Sequence, residues 1–152
     1  MIPRFRAWDK EENRWINIAS LVFDEEGELW YLSPVMDDFN PVYYENELGK
    51  TWEIMQSTGL KDKNGVEIFE GDILIYTAKS VNYSDTYWHS YCEVFRAHNG
   101  AYRIRGEHIC ETDLYSNRNH VTVAGNIYDT PELLKKERLM TSTADPELLE
   151  AE

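Results

Sequence analysis

Apolar and polar residues alternate in short runs along most of this chain, and the runs are broken by turn residues every eight to twelve positions. That spacing predicts strands, because side chains of a strand point to opposite faces in turn. "FRAWDKEENRWINI" (5–18) reads as two strands around a polar turn at Asp9–Asn13, and "LVFDEEGELWYLS" (21–33) repeats the design with Glu25–Gly27 as its turn. "PVMDDFNPVYYENELGK" (34–50), with two prolines, several acids and Gly49, reads as the boundary to a second module. Beyond it, "IMQSTGLKDKNGVEIFEGDILIY" folds back twice. Asn64-Gly65 is a hairpin signal, Gly71 permits a sharp redirection, and "ILIY" (73–76) is apolar on both faces, as a strand between two layers would be.

Residues 77–86 read as a polar loop. "YWHSYCEVFRA" and "AYRIR" flank His98-Asn99-Gly100 as a second hairpin, and "HVTVAGNIYD" (120–129) reads as a last strand. Thr130-Pro131-Glu132 has the residues of a helix start, which predicts a short helix over "PELLKKERLM" and a second one after Asp145-Pro146. The expected fold is all-β: an SH3-like roll or small barrel, with an N-terminal β-hairpin extension and a short C-terminal helix. The expected division is an N-terminal hairpin subdomain (1–50), the roll (51–130), and a short helix with a flexible acidic tail (131–152).

Three stretches, "FRAWDKEENRW", "IMQSTGLKDKNGVEIFEGDIL" and "GNIYDTPELL", together resemble the YopX family of phage and prophage proteins. The likeness covers residues 4–134 and lies most specifically in the middle stretch. It implies an SH3-like roll for the second module and a phage-related bacterial origin. It implies no activity.

Composition narrows the function. The 152 residues carry a formal net charge of −13, which disfavours general coating of nucleic acid. No run approaches the ~18 apolar residues of a membrane span. The start has no apolar core of signal-peptide length, and two cysteines make no disulfide framework, so a cytoplasmic protein is expected, and the resemblance implies that the cell is a bacterial host. Five Trp, ten Tyr and five Phe suit strands and also interfaces, which raises the expectation of self-association.

The chemistry-bearing residues make no catalytic pattern. His89-x-x-Cys92 and His108-x-Cys110 are zinc ligand types, but residues three apart on a strand diverge, so reduced, metal-free cysteines and no cofactor are expected. "DKNG" and "DEEGE" lack the ligand order of a calcium loop. Glu67, Glu70 and Asp72 cluster without any sign of a pocket. Phosphate-binding loops and nucleophile elbows are absent. The one charge anomaly is "FRAHNGAYRIRG" (95–106), with three arginines and no acid. A two-residue Asn99-Gly100 turn would set Arg96 opposite Arg103, put His98 and Arg105 on their face, and leave Phe95, Ala97, Tyr102 and Ile104 to the core. Arg96, His98, Arg103 and Arg105 are therefore the candidate contact for an anion or partner. The expected function is a phage-encoded accessory role through protein–protein association, without catalysis. A nucleic-acid-binding module using the arginine hairpin is the alternative, and a metal-dependent hydrolase the distant one.

Overall fold

A computed structural model of the protein describes residues 4–34, 44–45 and 52–146. The chain divides into two compact units, Met1–Gln56 and Ser57–Glu152. The stretch 34–50, expected as a boundary, lies outside the described residues apart from Pro34 and residues 44–45.

In the first unit, β1 (Phe5–Asp9) and β2 (Arg14–Ile16) form the expected hairpin, with Trp8 opposite Trp15. β1 also pairs with the first half of β6 (Trp52–Lys61). β3 (Ile18–Phe23), β4 (Leu29–Pro34) and β5 (Tyr44–Glu45) make a three-stranded sheet. Ala7, Ile16, Leu32 and Trp52 form the core of the unit. Both hairpin turns are held by an aspartate at their start: Asp9 Oδ1 accepts the Glu11 and Glu12 amides, and Asp24 Oδ1 accepts those of Glu26 and Glu28.

The second unit contains the second half of β6, then β7 (Glu67–Phe69), β8 (Asp72–Lys79), β9 (Tyr87–Arg96), β10 (Tyr102–Gly106) and β11 (Ile109–Asp113). A four-residue helix α1 (Leu114–Asn117), a 3-10 turn (Arg118–His120) and β12 (Val121–Asn126) follow. A 3-10 turn (Pro131–Lys135) and β13 (Leu139–Thr141) end the described chain. The strands run in the order β11-β10-β9-β8-β12, and the curled sheets make a half-barrel, so the fold is all-β and of small-barrel type.

β8 lies between two layers, as its two apolar faces predict. Leu74 joins Ile68, Cys92, Val94, Ile104, Leu114 and Val121 inside the half-barrel. Ile73 and Ile75 point the other way, with Tyr91, and are covered by Ile127, Leu133 and Leu134. The turn after β6 is built as its sequence predicts: Gly65 adopts φ +83°, and Asp62 Oδ1 accepts the Asn64 and Val66 amides. β8 continues to Lys79, so the polar loop starts three residues later than its sequence suggests.

The C-terminal segment departs from its reading as a helix. Thr130 caps nothing. Its hydroxyl accepts from the Asn126 amide and donates to the Asn126 carbonyl, while Asn126 Oδ1 accepts the Tyr128 and Asp129 amides. The turn this makes lays Leu133 and Leu134 on the outer cluster, and tertiary burial overrides helix propensity after one 3-10 turn. Leu139–Thr141 then pairs with Tyr87–His89 of β9, on the edge that β10 takes further along. The second expected helix, after Asp145-Pro146, lies outside the described residues.

His89 fastens this segment. It is 1% exposed, with Nδ1 2.9 Å from the Thr77 hydroxyl and Nε2 2.7 Å from that of Thr141. The Thr141 hydroxyl donates to the Thr143 carbonyl at 2.8 Å, so it accepts from Nε2–H. Nδ1 is therefore the unprotonated nitrogen and accepts from Thr77.

Two tests follow from these turns and ties. At Gly65 a side chain has open space, so Gly65→Val strains only the backbone. It should lower stability by about 1–2 kcal/mol, read from the urea midpoint. An unchanged midpoint refutes the turn. Burial, opposed by a bond involving Thr143, lowers the His89 pKa. The unfolded chain therefore takes up a proton near pH 6.5 that the folded chain resists. Stability should be full above about pH 6.5 and fall as the pH drops from there toward the lower, folded value. His89→Gln should flatten that part of the profile, and an equally steep profile in the variant would discard His89 as its source.

Candidate functional site

The arginine hairpin differs from its expected register by one residue. The Ala97 amide donates to the Ala101 carbonyl at 2.8 Å, the Gly100 amide to the Ala97 carbonyl, and the Ala101 amide to Asn99 Oδ1. The loop therefore holds three residues, His98 to Gly100, with Gly100 at φ +87°. This is a three-residue hairpin with a glycine bulge, not a two-residue turn. Arg96 faces Tyr102, and Arg103 faces Phe95. The expected Arg96–Arg103 juxtaposition does not occur.

Each arginine has a different environment. Arg103 Nε is 3.0 Å from Glu111 Oε2, and Arg105 Nε is 2.9 Å from Glu93 Oε1. The Arg105 guanidinium also stacks on Phe95, 4.1 Å from the ring centre. Phe95 thus lies on the arginine face rather than in the core, where Val94 and Ile104 stand. Arg103 contributes to holding the Asp113 carboxyl below its usual range, after the larger effects of the Ser116 hydroxyl and amide that Asp113 caps. Arg96 and His98 make no ion pair among the described residues. Arg96 acts electrostatically on the Tyr102 hydroxyl, whose pKa is raised by burial first and by Glu70 next.

A second feature, with little sign in the sequence, is built on the inner face of β8 and β9. Along β8 and β9 the inner positions pair as Leu74 with Cys92, Tyr76 with Ser90, and Ala78 with Trp88. The first pair belongs to the core, and the next two open into a hollow of ≈380 Å³. Its other walls are His108, Ile109, Cys110 and Thr112 from β11 and the turn before it, with Asn117 and Arg138. The Arg138 guanidinium lies over Trp88, 4.0 Å from the ring centre, and the Tyr76 hydroxyl donates to Asn117 Oδ1 at 3.1 Å. His108 Nε2 is 3.5 Å from Glu137 Oε2, too far for a strong hydrogen bond.

The close approach that shapes this wall is made at Gly106, where a Cβ would overlap the Tyr91 carbonyl of β9. His108 and Cys110 share the hollow. His89 is occupied by its two threonines on the opposite face from Cys92. Among the described residues no three His, Cys, Asp or Glu side chains gather to hold a metal ion. Burial pushes the Cys92 thiol up to about 12, and Glu93 adds to the shift, whereas Cys110 is exposed. Of the clustered carboxylates, Asp72 is fully buried and its Oδ2 accepts the Phe69 amide at 2.8 Å, a structural use in the β7–β8 turn.

The family model described as "YopX protein" matches residues 4–135, and the chain belongs to that family. It is similar to a solved structure, the crystal structure of protein EF1440 from Enterococcus faecalis, at 33% identity and a TM-score of 0.59, over 88% of this chain and 99% of that one. No curated protein matches it. Among the described residues no helix is long and apolar enough to cross a membrane.

The paired arginines generate a test. Both ion pairs are partly exposed, so each contributes only about 0.2–1 kcal/mol. Arg103→Gln with Arg105→Gln should lower stability by an amount within that small range for each pair, and added salt should reduce the difference. A double variant as stable as the wild type at low salt would show that the two pairs contribute nothing.

Proposed function

We propose that this protein is a phage- or prophage-encoded accessory protein of the bacterial cytoplasm that acts by binding another protein, without catalysis. The observation that carries this reading is Arg138 stacked on Trp88 in a hollow that also presents Tyr76. Trp, Tyr and Arg are the side chains that most often dominate binding energy, because each combines a large desolvated area with a directional polar group. Stacking on Trp88 also holds the guanidinium in one place, which lowers the entropy lost on binding. Family membership and a similar structure from a bacterium support the bacterial setting. The partner in this reading is another protein or a second copy of the chain. Nucleic acid is the weaker alternative, because Arg103 and Arg105 already have carboxylate partners.

Cys110 makes the reading testable. It is exposed and lines the hollow, while Cys92 is buried with its thiol pKa raised, so a thiol-reactive photocrosslinker should attach at Cys110 alone in the native protein. Irradiation in host-cell extract should give one predominant protein adduct, a heteromer or a dimer of this chain. Trp88→Ala should weaken that capture by roughly thirtyfold, the effect of losing about 2 kcal/mol at a central residue. Adducts that form equally well without Trp88, or crosslinking only to nucleic acid, would refute the proposal.

A further inference from the structure

β8 is longer than its pairing on one side. The β12 ladder stops at Val121 opposite Tyr76, whereas the β9 ladder continues to Tyr87 opposite Lys79. Among the described residues Thr77, Ala78 and Lys79 therefore have a strand neighbour only on the β9 side. An open edge of this kind offers its backbone amides and carbonyls to any chain that can lie beside it in extended form.

The space beside that edge is a second hollow, of ≈350 Å³, which shares Tyr76 and Ala78 with the first. Tyr87 adds apolar wall, and Lys63, Lys79 and His120 complete the ionisable lining besides the tyrosines. Among the described residues no acidic side chain lines it, although the chain as a whole carries −13. The Lys63 ammonium donates to the Ala144 carbonyl at 3.0 Å, which holds it beside the hollow. One edge lysine is a common guard against unwanted strand pairing. Several basic groups around one short open edge do more, because they discriminate by charge.

We propose that an acidic, extended segment of a partner protein adds to this edge of β8 as a strand, with its carboxylates toward Lys63, Lys79 and His120. The proposal rests on the reading of the protein as an association module and specifies the chemistry of what it binds. Alternation suits the site: at about 3.4 Å per residue, carboxylates on every second position stay on the face of Lys79 while the residues between lie on the face of Tyr76 and Ala78. A second copy of this chain is a poor occupant, because pairing two such edges would set lysines against lysines. A nucleic acid would leave the strand-edge amides and carbonyls without their natural partners and would meet the repulsive field of the whole chain.

The test uses the full chain and a short fluorescent peptide of alternating glutamate and valine, followed by anisotropy at low salt. Saturable binding is expected. It should weaken roughly tenfold or more in Lys79→Glu, a change at an exposed strand end, and by as much when alternate peptide amides are N-methylated. The same peptide with lysine for glutamate should not bind. The proposal is overturned by absence of saturable binding, by equal binding of the lysine peptide, by indifference to N-methylation, or by preference for an oligothymidine. Capture of a partner at Cys110 without peptide binding would remove the strand-addition site alone. Peptide binding without Trp88-dependent capture would remove the other reading alone.

Discussion

The second unit depends on one buried carboxylate. Asp62 opens the turn between β6 and β7, and its Oδ1 accepts the Asn64 and Val66 amides. Its Oδ2 accepts the Val123 amide of β12 at 2.9 Å, and the Lys63 amide donates to the Val121 carbonyl beside it. One side chain thus shapes a hairpin tip and ties that tip to a strand some sixty residues later. Bonds from amides to an ionised carboxylate are among the stronger hydrogen bonds, and at 6% exposure there is little water to replace them. Without Asp62, the amides of Asn64, Val66 and Val123 would lose their acceptor at once; the two turn amides sit on exposed residues that water can reach, while Val123 is half-buried. The "DKNG" run, which resembles a fragment of a calcium loop, is explained by this role.

With β12 anchored, the layers on either side of β8 follow. Its even-numbered residues face the half-barrel core and its odd-numbered ones the outer cluster, so each face needs its own cover. The outer cover is the segment after β12, whose leucines reach Ile73 and Ile75 because the Asn126–Thr130 turn redirects the chain. Gly125 permits that redirection, since a Cβ there would collide with the Thr130 hydroxyl. The same segment then supplies Arg138 to one hollow and Ala144 to the other. Packing and the proposed binding surfaces are therefore coupled through residues 126–144. The His89 tie to Thr141 holds the far end of that segment in place.

Local chemistry was the legible part of the sequence. An aspartate followed by glycine within three residues builds the same amide-accepting turn at Asp24 and Asp62, and both were readable as turns. The two-faced character of 73–76 was readable because no polar residue interrupts it. The register of the arginine hairpin was not, because His98-Asn99-Gly100 suits a two-residue or a three-residue loop, and only the bonds from Ala97 to Ala101 decide between them. That single residue moves Phe95 from the expected core to the arginine face. The C-terminal helix was misread for a different reason. Thr130-Pro131-Glu132 is a sound local start, but its threonine is used by Asn126 and its leucines by a distant strand. The hollows were hidden because Trp88, Cys110 and Arg138 come from separate elements and meet only through the sheet order.

The charge distribution gives the open edge of β8 its selectivity. Several acidic residues are committed to the fold: Asp9, Asp24, Asp62 and Asp72 accept backbone amides, and Glu93 and Glu111 neutralise the hairpin arginines. The chain as a whole, with a formal net charge of −13, repels polyanions over distances of about a Debye length, ~8–10 Å. Among the described residues, the ionisable side chains lining the hollow beside Thr77–Lys79 are instead Lys63, Lys79 and His120, besides the tyrosines. A short acidic strand feels the local lysines at contact and the distant field only weakly, because salt screens the latter first. A long polyanion meets both at once. Strand addition then supplies what charge alone cannot, a register set by backbone hydrogen bonds, so the same three residues can favour an extended acidic segment and disfavour a nucleic acid.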